Sequence, residues 1–243
     1  MHIVKTIPVG PLATNCYLIG NPETKELLIF DPGADAAGIK SAVRETGMKP
    51  VAIFLTHAHF DHVGAVKNLR TEYGIPVIAG EEEKNLLSDS EYVLPHMFRE
   101  EYPNPDALLV TADRFVSHEE LLDIAGLYVT CLHTPGHTAG SYSYFFPAES
   151  MVVSGDTLFM ESVGRTDLPT GDMKVLTEAI RRQLYRLPNE TLVFPGHGPA
   201  TNIEYEKRYN MYTWEKGQTK ETVAAARAAV FDEARFFRSA GCT

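Results

Sequence analysis

The sequence predicts an α/β (α+β) fold of the αββα type, in which two mixed β-sheets pack together and helices cover the outer faces. Three observations support this prediction. The chain divides into two blocks, each of which begins with strands and continues with mixed strands and helices. Segment 51–56 is an apolar run suited to a buried strand. Histidines and aspartates follow directly after predicted strands, where such folds carry their functional loops.

The first block begins with strand-like segments and then alternates between strand and helix. Residues 89–113 break this pattern, because three prolines lie there among aromatic residues. We expect a long loop or short helices over the core, which could act as a lid. The expected elements are strands 2–7, 14–20 and 26–31, helix 39–46, strand 51–56, helix 63–73, strand 75–79 and a helix that begins among residues 81–83.

The second block follows the same order and ends in helices. No linker or short repeat interrupts the chain, so we expect one domain over residues 1–243, with an insertion at about 89–113 and C-terminal helices at about 203–238. The expected elements are strands 127–132, 141–146 and 151–154, helix 172–187, strand 191–194 and helices 203–212 and 219–237.

The composition excludes several classes of partner. A net charge of −10 repels a phosphate backbone, so nucleic acid is not an expected partner. No apolar run reaches the ~20 residues of a membrane-spanning helix, and the first residues do not resemble a signal peptide. We therefore expect no membrane association and a cytoplasmic monomer or homodimer.

The cysteines carry no predicted chemistry. Cys16, Cys131 and Cys242 are too widely spaced to indicate a disulfide framework or a thiolate zinc site. Cys16 and Cys131 lie in strand-like segments and are expected to be small buried side chains, whereas Cys242 is expected to be exposed.

The strongest functional signal is a strip of four potential metal ligands directly after strand 51–56. In an extended segment His57 and His59 point to the same side and can reach one ion, while the following turn can direct Asp61 and His62 to a second. A lone histidine usually caps a helix or fills a buried hydrogen bond. Four such groups this close together would be costly without a metal, so the strip predicts a metal site.

Three further candidates, His137, Asp156 and His197, lie in glycine-containing turns that also follow predicted strands. Glycine permits the backbone turns and close approaches that place a ligand in a defined loop, although each turn alone is weak evidence. His133 competes with His137 for the same role. The remaining histidines are expected to be surface or packing residues: His2, His96 and His118.

In order and type these residues resemble the metallo-β-lactamase superfamily, in which a His-x-His-x-Asp-His strip is followed by a histidine, an aspartate and a final histidine. Segments 155–159, 163–168 and 195–201 resemble the short bacterial glyoxalase II-like (hydroxyacylglutathione hydrolase-like) proteins, which lack a full glutathione domain. The resemblance implies the αββα sandwich of that superfamily and a metal-dependent hydrolase.

The resemblance also implies two divalent ions and assigns seven ligands to them. The ions are expected to be zinc, with iron or manganese as alternatives, because all three accept imidazole and carboxylate ligands. Such a pair would lower the pKa of a bridging water toward ~7 and supply hydroxide. The expected ligands are His57, His59 and His137 for the first ion, Asp61, His62 and His197 for the second, and Asp156 as the bridge.

The expected reaction is hydrolysis of a small-molecule thioester resembling S-lactoylglutathione, because a thiolate leaves without a strong acid. Asp61 and Arg165 are the predicted catalytic residues. Asp61 could orient the hydroxide, and Arg165 could contact either an anionic substrate group or an internal carboxylate such as Asp167. Asp31 is a candidate for supporting the ligands, with a role in a turn as the alternative.

Other functions stay open at this stage. One is a mononuclear iron persulfide dioxygenase, a relative that shares a Gly-Arg-Thr-Asp segment with this chain. The others are a lactonase and a non-catalytic binding protein. Retention of every ligand for both ions favours the hydrolase, and the lack of a signal-peptide pattern argues against a secreted β-lactamase. Gly198-Pro199 replaces the Glu-Tyr of full-length glyoxalase II, and little chain follows, so we expect a high KM for S-lactoylglutathione.

Overall fold

The computed structural model describes residues 2–102 and 104–214. It contains two six-stranded mixed sheets, and their order confirms the predicted αββα sandwich. In spatial order, the first sheet consists of β1 (Ile3–Val9), β2 (Thr14–Asn21), β3 (Glu26–Phe30), β4 (Lys49–Phe54), β5 (Val77–Gly80) and β6 (Arg114–Val116). The second consists of β14 (Thr201–Asn202), β13 (Leu192–Pro195), β10 (Met151–Gly155), β9 (Tyr142–Phe146), β8 (Leu127–His133) and β7 (Leu121–Ile124). The separate hairpin comprises β11 (Leu158–Phe159) and β12 (Ser162–Val163).

Alternation along β3 shows how the layers form. Leu28 and Phe30 point into the core between the sheets, where the Phe30 ring stacks on Phe54 at 4.9 Å. Leu27 and Ile29 point the other way, into the cluster beneath α1 (Ala36–Thr46) and α3 (Val66–Tyr73). Because successive strand residues face opposite sides, an apolar strand such as β3 can be buried on both faces.

A third apolar cluster covers the outer face of the second sheet. Val152 and Val193 of the sheet pack there against α5 (Met173–Ala179) and α6 (Ile203–Tyr209). The predicted helix 172–187 is α-helical only as far as Ala179 and continues as a π-helical turn, Ile180–Leu184. The predicted helix 203–212 ends at Tyr209 and is followed by a 3-10 turn.

The predicted helix 63–73 is divided in two. A short helix, α2 (Phe60–Val63), precedes α3, and Gly64 lies at the break. A Cβ on Gly64 would come within 2.2 Å of the Gly33 carbonyl oxygen, so the two backbones approach too closely for any other residue.

The expected helix at residues 81–83 is only a 3-10 turn, and Glu83 within it turns into the interior with 1% of its surface exposed. Segment 89–113 contains α4 (Ser90–Val93) and two 3-10 turns. The short strands β6, β7, β11, β12 and β14 have too few residues for a visible sequence pattern.

Cys16 and Cys131 are fully buried, as predicted. The expected helix 219–237 and Cys242 lie outside the described residues. Within the described ranges, no helix has the length and apolar character needed to cross a membrane.

Candidate metal site

The candidate ligands meet at one edge of the sandwich because of strand direction. Strands β8 and β10 are both antiparallel to β9, and β13 is parallel to β10, so all three end at the same edge. His137, Asp156 and His197 follow these ends. The strip of residues 57–62 follows β4 in the facing sheet and comes close enough for a direct contact between His59 and His137.

Three buried histidines form the first group. His137 Nε2 lies 3.0 Å from His59 Nδ1 and 3.2 Å from His57 Nε2. All three side chains are at most 3% exposed. Each residue therefore presents one nitrogen to a common point.

The second group consists of Asp61, His62 and His197. Asp61 Oδ2 lies 3.5 Å from His62 Nε2 and 3.3 Å from His197 Nε2. The turn after β13 can approach Asp156 closely only because residue 196 is glycine. A Cβ at Gly196 would lie 2.1 Å from Asp156 Oδ1.

Asp156 lies between the two groups. Its Oδ2 is 3.5 Å from His137 Nε2 in the first group and 3.5 Å from His197 Nε2 in the second. Its Oδ1 is 3.3 Å from His62 Nε2. One carboxylate thus contacts both groups, as expected of a bridge.

These distances fit metal binding. Ligands about 2.0–2.2 Å from a tetrahedrally coordinated ion lie ~3.3–3.6 Å apart, close to the separations in both groups. His62 Nε2 and Asp156 Oδ1 are buried and lie 3.3 Å apart, and neither makes a well-oriented hydrogen bond within the described structure. Buried polar atoms are normally satisfied, so a cation between them would supply what the protein does not.

Backbone carbonyls fix two of the imidazole rings. His137 Nδ1 donates to the Arg165 carbonyl at 2.7 Å, and His197 Nδ1 donates to the Leu12 carbonyl at 3.2 Å. Because a carbonyl can only accept, Nδ1 carries a proton in both rings, and Nε2 is the nitrogen that faces the site and can bind a metal in the neutral ring. These contacts have no signature in the sequence, because any residue can supply a carbonyl.

Asp31 supports the strip from behind and is 1% exposed. Its carboxylate accepts the backbone N–H of Thr56 at 2.8 Å and the Thr56 hydroxyl at 2.7 Å, and it lies 3.0 Å from His62 Nδ1. The Thr56 hydroxyl is in turn 3.1 Å from His57 Nδ1. Asp31 therefore has the predicted supporting role, and its backbone has a positive φ of 47°.

Two further supporting residues were not predicted. Thr14, at the start of β2, donates its hydroxyl to Asp61 Oδ2 at 2.7 Å. Glu83 accepts the Thr138 hydroxyl at 2.7 Å and also faces the backbone N–H of Ala58, so it joins the strip to the His137 loop. Burial raises the Glu83 pKa to about 7. The only sequence signal for Glu83 was its place in a run of three glutamates.

The first group is held in its neutral form. Burial, together with the proximity of His137, lowers the pKa of His59 to about 3. Burial likewise lowers the pKa of His57 and of His137. Neutral imidazole is the form that binds metals.

The second group has the opposite electrostatics. Burial opposes charge on His197, but hydrogen bonds to Asp156 and Asp61 raise its pKa to about 9. Burial also opposes charge on Asp61, yet the neighbouring His62 and the hydrogen bond from His197 lower its pKa to about 2. The carboxylates of Asp61 and Asp156 therefore stay ionised and attract positive charge, which protons or metal ions can supply.

Arg165 is paired within the chain. Its Nε and one terminal nitrogen contact the two Asp167 oxygens, each at 2.7 Å, which is a bidentate ion pair. Of the two predicted contacts, the internal carboxylate is thus the one that the structure shows. The side chain is exposed, and it also lines the cavity beside the metal site.

His133 does not join either group. Its Nε2 donates to the Ala139 carbonyl at 2.9 Å, and its ring packs against Tyr142. His2 pairs with Glu149, while His118 accepts the His133 backbone N–H. His96 is exposed.

An open cavity of ≈ 300 Å³ lies beside the two groups. Segment 89–113 forms one wall through Pro95 and Phe98, and the Tyr92 ring of the same segment is tilted against the His59 ring, with their centroids 5.6 Å apart. Hairpin β11–β12 supplies another wall through Phe159 and Ser162. The cavity gives a small molecule access to five of the candidate ligands: His59, Asp61, His137, Asp156 and His197.

Comparison with known proteins agrees with this geometry. The chain is 36% identical over 211 residues to the hydroxyacylglutathione hydrolase GloC of Haemophilus influenzae, covering 86% of this chain and 97% of the relative. It is 38% identical to BLEG-1, a B3 metallo-β-lactamase of known structure, with a TM-score of 0.80, covering 88% of this chain and 100% of that one.

TTHA1623, whose crystal structure is in a di-iron-bound form, is 35% identical to this chain. The match has a TM-score of 0.74 and covers 86% of this chain and 99% of the other. The family model described as "Metallo-beta-lactamase superfamily" matches residues 9–197, from the end of β1 to the last candidate ligand. The chain belongs to the metallo-β-lactamase superfamily.

Proposed function

We propose that this protein is a hydrolase with two metal ions that cleaves small thioesters. The observation that carries the proposal is the position of Asp156, whose carboxylate contacts His137 of the first group and both His62 and His197 of the second. A site for a single ion would not need a carboxylate shared between two groups of ligands.

In this proposal the seven candidate ligands keep their predicted roles. His57, His59 and His137 hold one ion, Asp61, His62 and His197 hold the other, and Asp156 bridges them. The donor atoms suit zinc, iron or manganese, and the di-iron form of a relative makes iron a specific candidate. When bound, such a pair supplies hydroxide at neutral pH and stabilises negative charge on a carbonyl oxygen.

The chain's own residues keep this site in a fixed geometry. The Thr14 hydroxyl holds the Asp61 carboxylate, while Asp31 and the carbonyls of Leu12 and Arg165 hold the imidazole rings. Fixed groups need no reorganisation as the reaction proceeds, which is a large part of enzymatic rate enhancement. In the proposed reaction Asp61 also orients the attacking water, and Arg165 borders the substrate.

A thioester matches this site because of its leaving group. Water adds to the carbonyl carbon, the C–S bond breaks, and the products are a carboxylic acid and a thiol. A thiolate leaves far more readily than an amine, so the site needs no strong general acid. The 36% identity to a hydroxyacylglutathione hydrolase supports the same substrate class.

The test is hydrolysis of S-lactoylglutathione and of acetyl thioesters by protein loaded separately with zinc, iron or manganese. We expect turnover that requires metal, with a high KM for S-lactoylglutathione. Asp156→Ala should abolish this turnover. The control is His133→Ala, which removes a half-buried histidine that contacts neither group and should leave the turnover in place. Absence of thioester turnover in all three metal forms would refute the proposal.

A second candidate is β-lactam hydrolysis, favoured by the 38% identity to BLEG-1. A lactonase and a persulfide dioxygenase are further alternatives on the same ligands. Three assays on the same preparations separate these activities from thioester hydrolysis. They are hydrolysis of nitrocefin, hydrolysis of a lactone, and oxygen uptake with glutathione persulfide. A non-catalytic binding protein would show none of them. The cytoplasmic location, the single domain and the monomeric or dimeric state stay predictions.

A further inference from the structure

The cavity beside the metal site is small for a substrate pocket. Ligand sites commonly occupy ≈ 300–1,000 Å³, and this one has a volume of ≈ 300 Å³. A whole glutathione thioester would have to extend out of it. The walls of the cavity therefore select one part of the substrate, close to the reacting carbonyl.

Those walls are mainly apolar. Besides five candidate ligands, the fourteen described lining residues comprise seven apolar side chains, Ser162 and Arg165. Phe60 is 4% exposed, and its ring packs against Phe98 at 4.9 Å, so the aromatic wall is anchored in the protein. Leu12 lies at the rim and is 42% exposed.

The arginine that lines the cavity is neutralised by a carboxylate of the same chain. Arg165 is the one lysine or arginine among the described lining residues. It donates two hydrogen bonds to the Asp167 carboxylate, each 2.7 Å long. The remaining terminal nitrogen of the guanidinium is 3.8 Å from Met97 Sδ, an uncharged and weak acceptor. An anionic substrate group would have to compete with a bidentate carboxylate for this side chain.

This lining does not match the charged groups of glutathione. At neutral pH glutathione carries two carboxylates and one ammonium group. Apart from the metal-binding groups and the paired Arg165, the described lining offers these groups no charged partner in exchange for the water they would lose. We infer that the cavity binds an uncharged, apolar acyl group, so that the preferred substrates are thioesters of short aliphatic or arylaliphatic acids. The inference rests on the proposed thioester hydrolysis.

The first test varies the acyl group on one small neutral thiol, N-acetylcysteamine, with the metal-loaded protein. Acetyl, butanoyl, phenylacetyl, lactoyl and succinyl thioesters cover the relevant chemistry. We expect kcat/KM to rise about fourfold for each methylene that enters the cavity. The phenylacetyl thioester should exceed the lactoyl thioester, and the succinyl thioester should be the poorest of the series.

A second series holds the butanoyl group constant and varies the thiol among benzyl mercaptan, N-acetylcysteamine and glutathione. We expect a smaller spread than in the acyl series. A larger spread, with benzyl mercaptan best, would overturn the assignment to the acyl group, because the thiol would then occupy the apolar walls. A clear preference for glutathione would overturn the inference as a whole.

Two variants tie the preference to the walls. Phe98→Arg adds a charge inside the cavity and should lower kcat/KM for the phenylacetyl thioester at least tenfold, while the succinyl thioester gains. His96→Arg adds the same side chain two residues away, at an exposed position outside the cavity, and should leave both values unchanged. Because Phe98 is half-buried, Leu12→Arg at the exposed rim provides a second variant with the same expected direction.

The outcomes separate this inference from the proposed function. The inference would be overturned if thioester turnover did not depend on acyl polarity, or if it were unchanged in both Phe98→Arg and Leu12→Arg. Either result would leave the proposed hydrolase activity standing. Absence of turnover with every thioester and every metal would refute the proposed function itself.

Discussion

Glu206 is a buried carboxyl that should make stability depend on pH. It lies in α6 with no exposed surface, and its carboxyl group is 2.6 Å from the Thr201 hydroxyl. It also accepts the Glu161 backbone N–H and the Asn210 side-chain amide, each at 2.9 Å. Asn210 in turn donates to the Ser162 carbonyl, so this cluster holds the hairpin β11–β12 that lines the cavity.

Burial raises the pKa of Glu206 from 4.5 to about 7. Between these values the folded protein binds more protons than the unfolded chain, so the free energy of unfolding falls as the pH rises. Each unit of pKa corresponds to about 1.36 kcal/mol, and ionisation of Glu206 therefore costs about 3 kcal/mol once the pH exceeds 7. The cost is absent below pH 4.5.

Glu206→Gln should remove this cost. A glutamine amide resembles the protonated carboxyl and can donate to Thr201, so the variant should be close to wild type at pH 5. At pH 8 it should be more stable than wild type by up to about 3 kcal/mol. The measurement is urea unfolding of metal-loaded protein between pH 5 and 8.5.

Glu204→Gln is the matched control, because Glu204 lies in the same helix but pairs with Arg208 at the surface. The difference in unfolding free energy between Glu204→Gln and wild type should not vary with pH. The reasoning would be wrong if the difference in unfolding free energy between Glu206→Gln and wild type were also constant from pH 5 to 8.5. Glu206 would then be ionised in the folded protein at all these pH values.

Substitutions at Asp156, Thr14 and Asp31, two of them with a control variant, test the metal site. Asp156→Ala should lower kcat/KM by much more than the roughly 10–100-fold expected when a residue only orients a ligand, whereas His133→Ala should stay within about twofold of wild type. Thr14→Val removes the hydroxyl that holds Asp61 and should cost roughly 10–100-fold in turnover at normal thermal stability, with Thr14→Ser restoring most of it. Asp31→Asn should weaken zinc binding by a similar factor in a chelator competition, and unchanged affinity would show that the contact with His62 does not support the metal.

The pattern of strands and helices predicted the architecture, and the order and type of the ligand residues, through their resemblance to a known superfamily, predicted which seven residues gather. A strip with four ligands in six positions, His57 to His62, has no ordinary structural explanation, and apolar strands such as β3 mark a buried sheet. The direction of β8, β10 and β13 then places the later ligands at the same edge.

The parts that were not predicted depend on contacts between distant segments. Thr14 and Asp61 are 47 residues apart in sequence, and no local pattern marks a threonine hydroxyl as a partner of a ligand. The carbonyls of Leu12 and Arg165 belong to the backbone and have no residue signature. Glu83 was expected at a helix start, but tertiary packing turns it inward and overrides the local preference.

The number of bound metal ions tests the central claim most directly. Protein purified without chelator, equilibrated with zinc and freed of excess by gel filtration, should contain two ions per chain by inductively coupled plasma mass spectrometry. Asp156→Ala should lose both in part, since it removes the shared ligand. One ion per chain in the wild type, unchanged by added zinc, iron or manganese, would contradict the two-metal site and the hydrolytic mechanism built on it.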